Sequence, residues 1–126
     1  MNRLIFLLVL VVASSTAVAA PTSAPVRAEI DVLLTNLQAS GCEFSRNGAW
    51  YSGAEAKVHL LRKLEYLEGK STLRSTEQFI ELAASSSSFT GQSYQVKCGN
   101  TPPVKSQQWL TRELASIRSL SSGGKP

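Results

Sequence analysis

Apolar positions in this chain recur at two periods, and the switches between them mark its elements. Val26, Ile30, Leu33, Leu34 and Leu37 fall at three- and four-residue steps, which is one stripe of a helix. Pro25 suits the first turn, where an N–H would have no helical partner. Ser40-Gly41 ends the helix, with Gly41 free to take the left-handed conformation beyond the last turn. Cys42 and Phe44 then alternate with polar residues as a short strand. Asn47-Gly48 accepts the positive φ angles of a type I′ hairpin turn, so Ala49 to Tyr51 is the returning arm.

That arm is cut short by Ser52. Ser52-Gly53-Ala54-Glu55 has the spacing of a capping box, in which the serine oxygen and the glutamate satisfy each other's orphan N–H groups. The helix it opens runs from Gly53 to Glu68 and stops at Gly69. Ala54, Val58, Leu60, Leu61, Leu64 and Leu67 occupy about half its circumference, a width that predicts a central helix with more than one neighbour. Ser75 and Gln78 form a second capping box before a short helix to about Ala84 that buries Phe79, Ile80 and Ala83. The run Ser85-Ser86-Ser87-Ser88 breaks it, because serine hydroxyls compete for backbone groups. After a turn at Thr90-Gly91-Gln92, the residues Tyr94, Val96 and Cys98 alternate as a strand. The segment 99–105 is expected as a loop, with Pro102-Pro103 keeping it out of any ladder. Ser106 is expected to cap a last helix that buries Leu110, Leu114 and Ile117.

These elements predict an α+β domain, mainly helical, with a small antiparallel sheet of two or three strands. It spans residues 26–120, after a linker of small residues and prolines at 20–25 and before a disordered tail at 121–126. The start of the chain reads differently. Arg3, the apolar run Leu4 to Ala13 and the small-residue site Ala17-Val18-Ala19 follow the order of a secretory signal peptide. The run is too short to span a bilayer, which needs about 20 apolar residues. Residues 1–19 are therefore expected to be removed and the mature chain to be exported, with no membrane insertion after cleavage.

Export changes the reading of the two cysteines. In an oxidising compartment Cys42 and Cys98 are expected to pair. Closing so long a loop is worth roughly 4 kcal/mol on the chain-entropy argument, a large share of the roughly 5–15 kcal/mol that stabilises a domain. They lack C-x-x-C spacing, and a single histidine cannot complete a zinc site with them, so neither a metal nor a cofactor is expected. The net charge of +4 is spread along the chain without a basic run, which argues against a nucleic-acid footprint.

Candidate chemistry centres on His59, the one histidine of the chain. Glu55 lies four residues earlier on the same helix face, where a carboxylate would orient the imidazole and raise its pKa; the capping box already claims that carboxylate, and the plainer reading is a surface or rim histidine tethered by Glu55. Arg46, Arg62 and Lys63 offer positive charge to an anion or to the carboxylate of a peptide. The start of the helix at Ser75 could add N–H groups to such a site. Ser85, Ser86, Ser87 and Ser88 are read first as a solvated loop, then as a row of hydroxyls for a polar ligand and, less economically, as a source of a nucleophile for His59. Trp50, Tyr51 and Tyr94 are expected in the core or at its edge, the alternative being an aromatic patch.

Two strings also carry a resemblance. One is Arg46-Asn47-Gly48 followed by Glu55-Ala56, His59-Leu60 and Lys63-Leu64. The other is Thr76-Glu77-Gln78-Phe79-Ile80 followed by Ala84 to Ser88, Thr90-Gly91 and Tyr94. Together they resemble the YfeK-like family of small exported bacterial proteins, domain of unknown function 5329, over roughly residues 30–117. The resemblance implies a periplasmic location and supplies no activity, substrate or catalytic residue. The expected function is non-enzymatic binding of a protein, peptide or envelope polymer, with Arg46, Glu55, His59, Arg62 and Ser85–Ser88 as the binding face. The alternatives are a hydrolase using His59 with one of those serines, and a structural or stress-related envelope protein without a small ligand.

Overall fold

The structure, a computed structural model, describes residues 8–13 and 22–122. The elements are α1 (Ala24–Ala39), β1 (Glu43–Arg46), β2 (Ala49–Tyr51), α2 (Gly53–Glu68), α3 (Thr76–Ala83), β3 (Gln95–Lys97), β4 (Val104–Lys105) and α4 (Ser106–Ser122). Leu8–Val12 are exposed and belong to no helix or strand. The expected cleavage site at residues 17–19 lies outside the described residues, as do residues 123–126 of the tail expected at 121–126; its first two residues, Ser121 and Ser122, are the end of α4. Among the described residues no helix is long and apolar enough to cross a membrane.

The stripe of α1 is buried as its spacing requires: Ile30, Leu33, Leu34 and Leu37 are all without solvent contact. Pro25 stands in the first turn, and Gly41 beyond the last has φ +71°. The helix packs on each of the other three, so the central helix is α1. The expected central helix, α2, packs on α1, α3 and β1. It buries Ala56, Leu60 and Leu64 and leaves Val58 half exposed. Its apolar sector is wider than its contact, because the sheet covers it only near β1. Of the linker expected to be mobile at 20–25, the described part is ordered, and Ala24 and Pro25 already belong to α1. Thr22 is buried and bridges Leu73, so order begins before the first helical turn.

The sheet has the order β2-β1-β3-β4 with every neighbouring pair antiparallel, giving a single α+β domain. Asn47 and Gly48, with φ of 51° and 82°, make the turn between β1 and β2. The fourth strand corrects the expectation of two or three. Pro102 and Pro103 do stay out of the ladder, but Val104 and Lys105 pair with Val96 and Gln95 directly after them. A proline withholds only its own N–H and does not stop the next residue from pairing.

The register that sets Glu43 opposite Lys97 carries on to Cys42 and Cys98, whose Cα atoms are 4.3 Å apart and whose sulfurs are bonded. Phe44 and Val96 face the helices and are buried. Ser106 does more than open α4. Fully buried, it donates its hydroxyl to the Ala84 carbonyl at the end of α3, and its N–H to the Tyr94 carbonyl at 2.8 Å. This ties α3, α4 and the start of β3 together. On the outside, Arg118 of α4 bridges Glu29 of α1 and Glu77 of α3.

Candidate functional site

Three pieces of backbone meet at one end of the sheet. The first is the tip of the β1–β2 hairpin, which delivers Arg46 and Asn47. The second is the exposed flank of α2, where His59, Arg62, Lys63 and Tyr66 stand at the three- and four-residue spacing of one helix face. The third is the loop from Ser85 to Tyr94. Together they enclose a cavity of about 530 Å³.

Local chemistry holds each piece. The capping box opens α2 as expected, with the Ser52 oxygen accepting from Glu55 N–H at 3.2 Å and the Glu55 carboxylate returning to Ser52. The loop is folded on itself. Ser85 donates to the Ile80 carbonyl at 2.6 Å, and the buried Ser87 hydroxyl accepts from the N–H groups of Phe89 and Thr90, each at 3.3 Å. Thr90 then donates to the Asn47 side chain at 2.8 Å, which clasps the loop to the hairpin turn.

Electrostatics at the centre run opposite to the expectation for His59. Glu55 is not hydrogen-bonded to it; its carboxylate is on Ser52. Instead Arg46 reaches over Tyr51, 5.5 Å from that ring, and presses its guanidinium on both imidazole nitrogens of His59, 3.2 Å from Nε2. The same Nε2 lies 3.3 Å from the Tyr94 hydroxyl. Burial, and then Arg46, Lys63 and Arg62, push the imidazole down to about 4 instead of raising it. Lys63 donates to the Ser86 carbonyl at 3.0 Å and to the Tyr94 hydroxyl at 3.1 Å, and lies over the Tyr94 ring. Burial and Arg46 lower its pKa as well. Burial raises that of Tyr94.

The expected residues therefore divide. Arg46, His59, Arg62, Ser87 and Ser88 line the large cavity. Glu55 lines a smaller one of about 140 Å³, which shares Arg46, His59 and Arg62 as its wall. Ser85 and Ser86 line neither; the first is spent on the end of α3 and the second bridges Ser93. No serine hydroxyl of the run is hydrogen-bonded to His59, whose partners are Arg46 and Tyr94. The start of α3 is not among the cavity's walls: Ser75 caps the N–H of Gln78, Gln78 accepts from the Arg74 N–H, and Thr76 donates to Glu29. Of the aromatic residues, Tyr94 is core, Trp50 is 42% exposed on β2 and Tyr51 lies between.

Five residues that line the cavity were not in the expected face: Asn47, which was read as a turn residue, Tyr94, which was read as core, and Lys63, Tyr66 and Phe89. Lys63 is one turn after His59, and that spacing was the available signal. Tyr66 repeats it from Arg62. Phe89 is 99% exposed, a lone aromatic in a run of serine, threonine and glycine, which is itself a signal. Among the described residues no group of histidine, cysteine and carboxylate side chains is placed to hold a metal.

Nothing among curated proteins or solved structures matches the chain. Residues 24–118 match the profile described as "Family of unknown function (DUF5329)", a span from the first turn of α1 to the last turns of α4 that contains every residue of the cavity. The chain belongs to that family.

Proposed function

We propose that this protein is exported to the periplasm and there binds, without converting it, an anionic group of a protein, peptide or envelope polymer in the cavity between the hairpin tip, α2 and the Ser85–Tyr94 loop. One observation carries this reading. Among the described residues, Arg46, Arg62 and Lys63 line the cavity with no Asp or Glu beside them, and none of the three joins the ion pairs formed by Arg27 and Arg118. Solvated surface cations usually stand among carboxylates of opposite sign. Three together, two of them half-buried, favour negative charge from outside the chain. The leader-like start and the disulfide support export, since a bridge of this kind persists in oxidising compartments.

Two measurements test it. Fractionation with N-terminal sequencing is expected to find the mature chain in the periplasm, starting after Ala19; a cytoplasmic, uncleaved chain refutes export. A photo-crosslinking residue in place of Phe89, used in the intact envelope and read by mass spectrometry, is expected to capture a partner. Arg62→Gln is expected to abolish that capture, and capture unaffected by it refutes the binding reading.

A further inference from the structure

We infer that the cavity takes a carboxylate carried on an apolar body, the free C-terminal end of a peptide whose last side chain is aromatic or aliphatic. This deepens the binding function proposed above and rests on it. The apolar half of the inference starts from Phe89 and Tyr66, which are 99% and 61% exposed and border the same cavity as the three cations. Neither ring is held there by burial. Two exposed rings beside three cations without carboxylate partners call for a ligand with both characters at once.

The anionic half follows from the donors. Arg46 is fixed between Tyr51 and His59, so its planar fork is already oriented, and that fork matches the two oxygens of a carboxylate. Phosphate sites commonly recruit main-chain N–H groups at a helix start. Here the start of α2 is filled by Glu55, and that of α3 is not among the cavity's walls. The volume of about 530 Å³ exceeds what a free small anion fills and falls within the usual range for clefts that hold larger ligands, about 300–1,000 Å³. A chain end brings a carboxylate and a side chain from one Cα; an acidic side chain beside an apolar one offers the same pair, and the test separates the two.

Binding to the mature chain is measured by calorimetry for a short N-acetylated peptide ending in phenylalanine. The comparison ligands are its C-terminal amide, the amide with glutamate before the phenylalanine, the free acid ending in serine, and phenyl phosphate. The free acid is expected to bind, the amide at least about tenfold more weakly, and the serine-ended acid severalfold more weakly. Arg62→Gln and Phe89→Ala, both at exposed positions, are expected to weaken the free acid without loss of fold. Recovery by the glutamate amide supports the carboxylate and assigns it to a side chain. Equal binding of acid and amide overturns the inference, as does binding of phenyl phosphate alone. If no peptide binds while crosslinking from position 89 still captures a partner, the ligand class falls and the binding function stands. If the crosslink fails too, both fall.

Discussion

Arg46 meets His59 where a carboxylate would be the ordinary partner: its Nη1 is 3.2 Å from His59 Nε2, while Glu55, one turn earlier on α2, is turned onto Ser52. A guanidinium stays protonated and can only donate. The imidazole facing it must offer a lone pair, so this geometry requires a neutral histidine. The charges around it agree: Arg46 on β1, and Arg62 and Lys63 on α2, all disfavour a proton, and Tyr94 before β3 supplies a neutral hydroxyl.

Stability is expected to fall on acidification through His59. Its pKa is about 4 in the folded chain against an ordinary 6.5, so the unfolded chain binds the proton first. The contribution is complete above 6.5, is lost as pH falls toward 4, and is flat below that. Glu29, held low chiefly by Arg118 and Thr76, acts in the same direction nearer its ordinary 4.5. The difference in Tm between wild type and His59→Gln across pH 4–7 isolates the histidine. A difference independent of pH would refute the neutral assignment.

The same geometry predicts proton uptake on binding. An anion that offsets Arg46 and Lys63 relieves the repulsion on His59, so affinity for the free-acid peptide is expected to rise from pH 7 to pH 5. In His59→Gln that rise is expected to disappear. The readout is the binding constant at each pH, together with the buffer dependence of the calorimetric heat.

Replacing both Cys42 and Cys98 by serine is expected to lower stability by about 2–4 kcal/mol while the fold persists, because Phe44 and Val96 still pack the strands on the helices. Urea denaturation of oxidised, reduced and double-serine chains measures it. The last two should coincide.

Gly53→Ala tests a close approach. Alanine is the better helix former, by about 1 kcal/mol, yet a Cβ at position 53 would lie 2.7 Å from the Leu37 carbonyl oxygen and 2.8 Å from the Gln38 Cα. Both are backbone atoms at the end of α1 and cannot swing aside. A net loss of about 1–3 kcal/mol is expected; a gain would show that α1 and α2 separate freely.

Thr90→Val removes the clasp between loop and hairpin. Thr90 is exposed, so stability is expected to change by less than about 0.5 kcal/mol. Hydrogen exchange at residues 87–92 should speed up, and affinity for the peptide should fall severalfold.

Much of this fold was legible because it is written in local chemistry. The I′ turn at Asn47-Gly48, the Ser52–Glu55 box and the stripe of α1 each depend on a few neighbouring residues or on a short repeat, and the Cys42–Cys98 pairing was legible because the chain has two cysteines and no other partner for either. What misled was tertiary. The apolar width of α2 suggested a central helix, but width shows what can be buried and not what arrives to cover it. Ser106 looked like a cap and is instead a buried donor to Ala84, a role set by an element 22 residues away. The two residues of β4 carry too little pattern to stand out after two prolines.

The site was half legible. Arg46, His59 and Arg62 were named because charge and a lone histidine are conspicuous. Glu55 was assigned to His59 by helix spacing, yet the capping box had the prior claim on it. The serine run divided because hydroxyls at 85 and 87 are consumed by the backbone groups that a helix end and a tight loop leave open.

The bonded sulfurs and the cationic cavity occupy opposite tips of one pair of strands. Cys42 and Cys98 stand at one tip; Arg46, with Tyr94 across from it in the same register, stands at the other, about 13 Å of strand away. Between the two tips the pair Phe44 and Val96 is buried in the core. Peptide affinity of the double-serine chain therefore reads whether the packed middle of this ladder insulates the cavity from the loss of the sulfur bond.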